Sequence, residues 1–219
     1  EKMGDDDFDI SVLSDYDRAC TRIRVRLINT ERNGELLLNV PHREFLDLSL
    51  IYYIDMTSDK HKDVSILCTR VCNSQMAKWK ITEQELYQQA MTNMEICDEG
   101  CIISIWDLFR DRYDADYKED TEKDETYYIM TNKHLIYGAN QLLMKNKIKD
   151  FAAYMEKDIY IIPSSVNECL LLPICDGTKS PQELCADVVD VNKTLLPQDV
   201  LSNHVYKYDR NTEEIFIAA

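Results

Sequence analysis

Glycine is scarce in this chain: five residues, at positions 4, 34, 100, 138 and 177, with no two close together. A loop that cradles phosphate through its amides, or a dinucleotide-binding turn, needs clustered glycines, so neither can be built. Histidine is as sparse. None of the four (His42, His61, His134, His204) is followed by Glu and no two lie four apart, which removes the helical zinc-protease pattern, and no Gly-x-Ser-x-Gly elbow occurs. Basic charge is short too. Lys and Arg number 25 against 40 Asp and Glu, a net charge of -15, and a field of that sign repels a polyanion, so nucleic acid is not an expected partner. The longest apolar runs, such as residues 169–174, fall far short of the ~18 residues a membrane span requires, so no membrane is expected either.

What the chain does have is a core. Its 219 residues are 45% hydrophobic, enough for one large domain or two small ones to fold unaided. Eight cysteines (20, 68, 72, 97, 101, 169, 175, 185) would suit a disulfide scaffold in a small secreted domain, but a chain with a sufficient core and an acidic composition reads as cytoplasmic, with reduced thiols.

Residues 1–17 carry Asp5, Asp6, Asp7, Asp9, Asp15 and Asp17 with little apolar content, an acidic, mobile lead-in. One α+β domain is expected over 18–219. Ile23, Val25 and Leu27 alternate with Arg22, Arg24 and Arg26, the period of a half-buried strand with a basic outer face. A short capped helix follows to Leu38, closed by Pro41 with His42 in a loop, then a long strand from Leu46 to Met56 and an antiparallel neighbour over 64–69. Thr82-Glu-Gln-Glu85 is a capping box that predicts a helix through Leu86, Ala90 and Met94, with a shorter helix at Met76–Trp79 before it. Residues 111–125 hold eight acids against three bases and read as an exposed acidic loop. Beyond it the spacing predicts strands at 127–131 and 137–143, a helix at 147–156, strands at 159–162 and 168–172, a helix from the cap Ser180 to about Val191, and a last hairpin at 205–208 and 214–217. The fold class is therefore α+β, an antiparallel or mixed sheet with helices mainly on one side, in an order that suggests two similar strand-strand-helix halves.

Two constellations bear on chemistry. Cys68-x3-Cys72 and Cys97-x3-Cys101 would supply four thiolates for a tetrahedral zinc; the spacing is permitted but each cysteine also suits a small buried position, so neither metal nor cofactor is expected. Ser164 or Ser165 with Glu168 and His204 offers a nucleophile, an orienting carboxylate and a base. Equally, Pro163-Ser-Ser-Val-Asn167 serves as a connection between strands whose serines satisfy backbone groups. Arg22, Arg24 and Arg26 would receive an anion or face the protein's own acids.

Six stretches carry a family resemblance: Arg22-Ile-Arg-Val-Arg-Leu-Ile-Asn29, Val40-Pro-His-Arg-Glu-Phe-Leu-Asp-Leu48, Lys78-Trp-Lys-Ile-Thr-Glu-Gln-Glu-Leu86, Tyr128-Ile-Met-Thr-Asn132, Pro163-Ser-Ser165 with Glu168, and Leu201-Ser-Asn-His-Val-Tyr206. The chain resembles an uncharacterised bacterial family known only as a domain of unknown function. The resemblance implies a bacterial cytoplasmic protein, of which this chain is the C-terminal portion, and assigns no activity. It also implies a His at the place of Asn167, a residue that cannot act as a base. The function expected is a non-catalytic binding or regulatory module that takes an unknown protein or small-molecule ligand through Ser164, Ser165, Glu168 and His204. The alternative is a hydrolase-like enzyme that uses the same loop with Glu168 and His204.

Overall fold

The structure, a computed structural model, describes residues 10–56, 68–97, 100–108 and 126–219. The expected acidic loop at 111–125 and most of the strand expected at 64–69 lie outside the described residues. The chain divides into two compact units, Glu1–Asp98 and Glu99–Ala219, within the span that the sequence suggests as one domain. Of the acidic lead-in expected at 1–17, residues 1–9 lie outside the described residues, while Ile10–Leu13 forms a 3-10 turn and Tyr16–Ala19 a short helix, α1, and Val12 is wholly buried.

In the first unit β1 (Ile23–Asn29), β2 (His42–Phe45), β3 (Leu48–Asp55) and β4 (Cys68–Arg70) form an antiparallel sheet in which β3 pairs with the other three. The alternation of β1 is as predicted, with Ile23, Val25 and Leu27 buried between half-exposed arginines. The sequence places His42 in a loop and starts the long strand at Leu46. His42 instead opens β2, and Leu46, with φ of 56°, turns the chain between β2 and β3. Its apolar side chain continues the strand pattern in sequence, while its backbone cannot continue a strand.

Two helices follow, α3 (Asn73–Trp79) and α4 (Glu83–Cys97). The capping box at the start of α4 is complete: the Thr82 amide donates to Glu85 Oε2 at 2.7 Å and the Glu85 amide to Thr82 Oγ at 3.2 Å. Its buried stripe is Leu86, Ala90 and Asn93, not the predicted Met94. A buried amide must be bonded, and Asn93 Nδ2 donates to the carbonyls of Cys20 (2.7 Å) and Ile23 (3.0 Å), which fixes the entry to β1. The opposite face of the sheet is partly covered by α2 (Gly34–Leu37), whose Leu37 packs with Val40 on Ile51.

The second unit is a six-stranded antiparallel sheet of β5 (Gly100–Ser104), β6 (Tyr128–Asn132), β7 (Ile159–Ser165), β8 (Glu168–Pro173), β9 (Tyr206–Asp209) and β10 (Glu214–Ile217), in the order β10-β9-β7-β8-β6-β5. Helix α5 (Lys145–Met155) buries Ile148, Phe151, Ala152 and Met155 and sets the Phe151 ring edge-on to Tyr128 at 4.9 Å. Helix α6 (Pro181–Asn192) starts from a full capping box of Ser180 and Glu183 and packs Leu184 and Val188 against Ile162 and Leu172. Neighbouring residues of a strand point to opposite faces, and Tyr128 shares a face with Leu171, its register partner. The two helices therefore cover opposite faces of this sheet, where the sequence suggests helices mainly on one. Burial on both faces explains why β7 and β8 read as continuous apolar runs.

The α+β class holds; the predicted strand at 137–143 does not. Tyr137 is left-handed (φ 53°) and Gly138–Leu143 is a 3-10 helix that buries Gly138, Ala139, Gln141 and Leu142. The buried positions recur at a spacing of three, the period of that helix rather than of a strand. The second unit is therefore not a second strand-strand-helix copy of the first.

Candidate functional site

The Pro163–Glu168 segment closes the β7–β8 hairpin. Pro163 does not end the strand as predicted: β7 continues to Ser165, with its register broken between Ile162 and Ser165. A proline fits there because an irregular ladder does not require its missing amide. Ser165, only 6% exposed, pairs with Glu168 across a two-residue turn. Its hydroxyl donates to Glu168 Oε1 at 2.9 Å and accepts the Asn167 amide at 3.1 Å. Ser164 is half-buried on the same strand.

The turn itself is tied down from three directions. Asn167 accepts the Tyr137 amide on Oδ1 (3.0 Å) and the Thr131 hydroxyl on its carbonyl (2.7 Å). The Val166 amide donates to the Asp199 carbonyl at 3.0 Å, and its carbonyl accepts the Ala139 amide at 3.3 Å. Asn167 thus joins β6, the 3-10 helix and the hairpin, a role invisible from its place between two strands.

His204 lies at the corner that leads into β9. Its amide donates to Ser202 Oγ at 2.8 Å, and Nδ1 sits 3.2 Å from the Ala219 carbonyl; the Val205 amide donates to that carbonyl as well, at 3.0 Å. No hydrogen bond joins His204 to Ser164, Ser165 or Glu168. The structure therefore brings Ser165 and Glu168 together and gives His204 other partners.

None of the eight cysteines is bridged. Cys68 and Cys72 flank the end of β4, Cys97 closes α4 and is exposed, and Cys101 lies in the second unit on β5. Among the described residues no group of three or more His, Cys, Asp or Glu is placed to hold a metal. Burial holds the Cys68 and Cys101 thiols above their ordinary range.

Two clusters in the first unit escape prediction from local sequence. In one, Arg43 on β2 forks onto Glu83 at the start of α4 (Nη2 to Oε2, 2.7 Å; Nε to Oε1, 3.2 Å), donates to Gln84 Oε1, and stacks 3.9 Å over the Tyr87 ring. Tyr52 donates to the same Glu83 carboxylate. Burial would raise the Glu83 carboxyl, but the bonds from Arg43 and Tyr52 outweigh it and hold it below the usual range; burial and the neighbouring carboxylate push Tyr52 well up. A planar two-point pair with both side chains partly sheltered is a specific clamp of β2 to α4. The signal was present: Arg43 and Glu83 lie in two of the six stretches that carry the family resemblance.

In the other cluster, the antiparallel register sets Arg24 opposite Tyr53 and Tyr53 opposite Arg70. Arg26 lies 3.9 Å and Arg70 5.9 Å from the centre of the Tyr53 ring. The basic outer face predicted for β1 is thus part of a three-strand arrangement.

No curated protein and no solved structure matches the chain, so no named relative indicates an activity. A family does match: with residues 1–210 covered, the chain belongs to DUF5688, a family of unknown function.

Proposed function

We propose that the chain is a non-catalytic binding or regulatory module of a bacterial cytoplasmic protein. The observation that carries this reading is the state of the Ser165 hydroxyl, which gives its proton to Glu168 and takes that of the Asn167 amide in a nearly closed turn. A serine nucleophile needs a base that removes its proton and an open approach for the reacting carbon. A turn clasp needs only the two bonds it has. The hydrolase alternative would require the His204 ring within hydrogen-bond reach of Ser164 or Ser165, and no hydrogen bond joins His204 to either; its Nδ1 lies 3.2 Å from the Ala219 carbonyl. The cytoplasmic placement is supported by the acidic composition; among the described residues no helix is long and apolar enough to cross a membrane.

Incubation of the purified protein with p-nitrophenyl acetate, p-nitrophenyl butyrate and bis-p-nitrophenyl phosphate tests the reading. Hydrolysis at the rate of buffer alone, unchanged by Ser165→Ala, is the expected outcome. Turnover that Ser165→Ala or His204→Ala abolishes would establish the hydrolase alternative instead.

A further inference from the structure

β10 is the last strand of its sheet and pairs with β9 alone. In an antiparallel ladder alternate residues exchange hydrogen bonds with the neighbouring strand. The Ala218 amide donates to the Val205 carbonyl at 2.8 Å, which sets the alternation: Glu214 and Phe216 turn their main-chain groups to β9, and Ile215 and Ile217 turn theirs outward. Among the described residues no hydrogen bond from another element reaches that outer edge. The side chains along it are apolar and open. Phe216 is 43% and Ile217 41% exposed, on opposite faces of the sheet: Phe216 continues the face of Lys207 and Tyr160, and Ile217 that of Tyr206 and Ile161. Going beyond the binding reading above, we propose that this edge pairs with the same edge of a second copy of the chain, continuing the second unit's sheet across a two-fold axis.

The chemistry of the edge selects its own copy as the occupant. A two-fold axis normal to the sheet keeps each face continuous, so residues that meet across it share a face. Centred on Phe216, the pairing sets Phe216 against the partner's Phe216, Ile215 against the partner's Ile217 and Glu214 against the partner's Ala218. The outward groups of Ile215 and Ile217 then exchange hydrogen bonds, and no charge stands opposite a like charge. Centred on Ile215, it would set Glu214 against the partner's Phe216 and lose that match. A basic partner has nothing to grip on residues 215–219, which carry no charge, and the neighbouring carboxylates are engaged within their own unit. Glu213 lies 2.6 Å from Lys149, Asp190 2.7 Å from Lys193, and Asp209 accepts the Asn211 and Thr212 amides. β10 carries neither Lys nor Pro, residues that commonly protect an edge. It is kept short instead: it has four residues, and just beyond them the amides of Ala218 and Ala219 both donate to the Val205 carbonyl, the pattern of a bulge that ends pairing. Four residues a side make a small interface, below ~1,200 Å² and of the transient class. Both copies carry a net charge of -15, so their repulsion opposes association and salt, by screening it, favours association.

Sedimentation velocity of the whole chain, over a range of protein concentration and salt, tests the proposal. A monomer is expected when the protein is dilute and salt is low, with a shift towards twice that mass as both rise. Attraction between unlike charges would respond to salt in the opposite sense. Phe216→Lys and, separately, Ile217→Pro are expected to weaken association by about tenfold or more, with thermal melts close to that of the parent chain. Phe216 is exposed, and the amide that proline removes at Ile217 is one that β9 does not use. Amide exchange at Ile215 and Ile217, fast in the monomer, is expected to slow in the concentrated sample at high salt. A monomer mass under every condition, association that salt weakens, or association that neither variant disturbs would overturn the proposal. So would a dimer in which exchange at Ile215 and Ile217 stays fast, because the copies would then meet at another surface.

Discussion

Leu171→Ala is expected to destabilise the second unit by ~2–5 kcal/mol, the range for truncating a buried leucine into a space that closes only in part. Leu171 is fully buried on β8. It stands between Ile161 of β7 and Tyr128 of β6, and the row continues from Ile161 to Tyr206 of β9. Ile161 and Tyr206 are themselves wholly buried, and Phe151 of α5 packs edge-on against Tyr128. A cavity at Leu171 therefore opens in the middle of a row that spans four strands, where no flexible surface side chain is available to fill it. Urea unfolding followed by circular dichroism measures the loss. A change below ~1 kcal/mol would mean that the site relaxes and the row is loosely packed.

Gly138→Ala is expected to cost about 3 kcal/mol or more, because overpacking against backbone has no cheap relaxation. A methyl built on Gly138 would stand 2.2 Å from Thr131 Oγ and 2.7 Å from both the Asn132 amide nitrogen and the Asn167 carbonyl oxygen. Two of those atoms are main chain, and the third holds the 2.7 Å bond between Thr131 and Asn167. The substitution must push the 3-10 helix away from β6 and break the anchorage of the hairpin end. Thermal unfolding together with amide exchange at Tyr137 and Ala139 follows both effects. Gly34→Ala, where a methyl meets nothing within 4 Å, is the matched control and should change stability little.

What could be read from the sequence was local. The alternation of β1, the capping boxes Thr82/Glu85 and Ser180/Glu183, and the apolar runs of β7 and β8 each encode their element within a few residues, and each is found. Failures occur where a distant residue decides. Tyr137 to Leu143 has the composition of a strand, but Asn167, 30 residues on, takes the Tyr137 amide and Gly138 allows the close approach, so a 3-10 helix forms. His42 to Phe45 becomes a strand because β3 pairs with it. The site shows the same division. Ser165 and Glu168 are three apart and do meet; His204, more than 30 residues away, had no local signal that could place it. Arg43 and Glu83 are 40 residues apart and pair through the fold alone.

A double-mutant cycle on Ser165→Ala and Glu168→Ala, read by urea unfolding, most directly tests the claim that the hairpin end is a structural clasp. The hydroxyl–carboxylate bond of 2.9 Å predicts that the two substitutions are coupled, by about 1 kcal/mol and with each single variant already destabilised. Strictly additive effects, with Ser165→Ala as stable as the parent chain, would contradict the account and return the serine to the list of candidate nucleophiles.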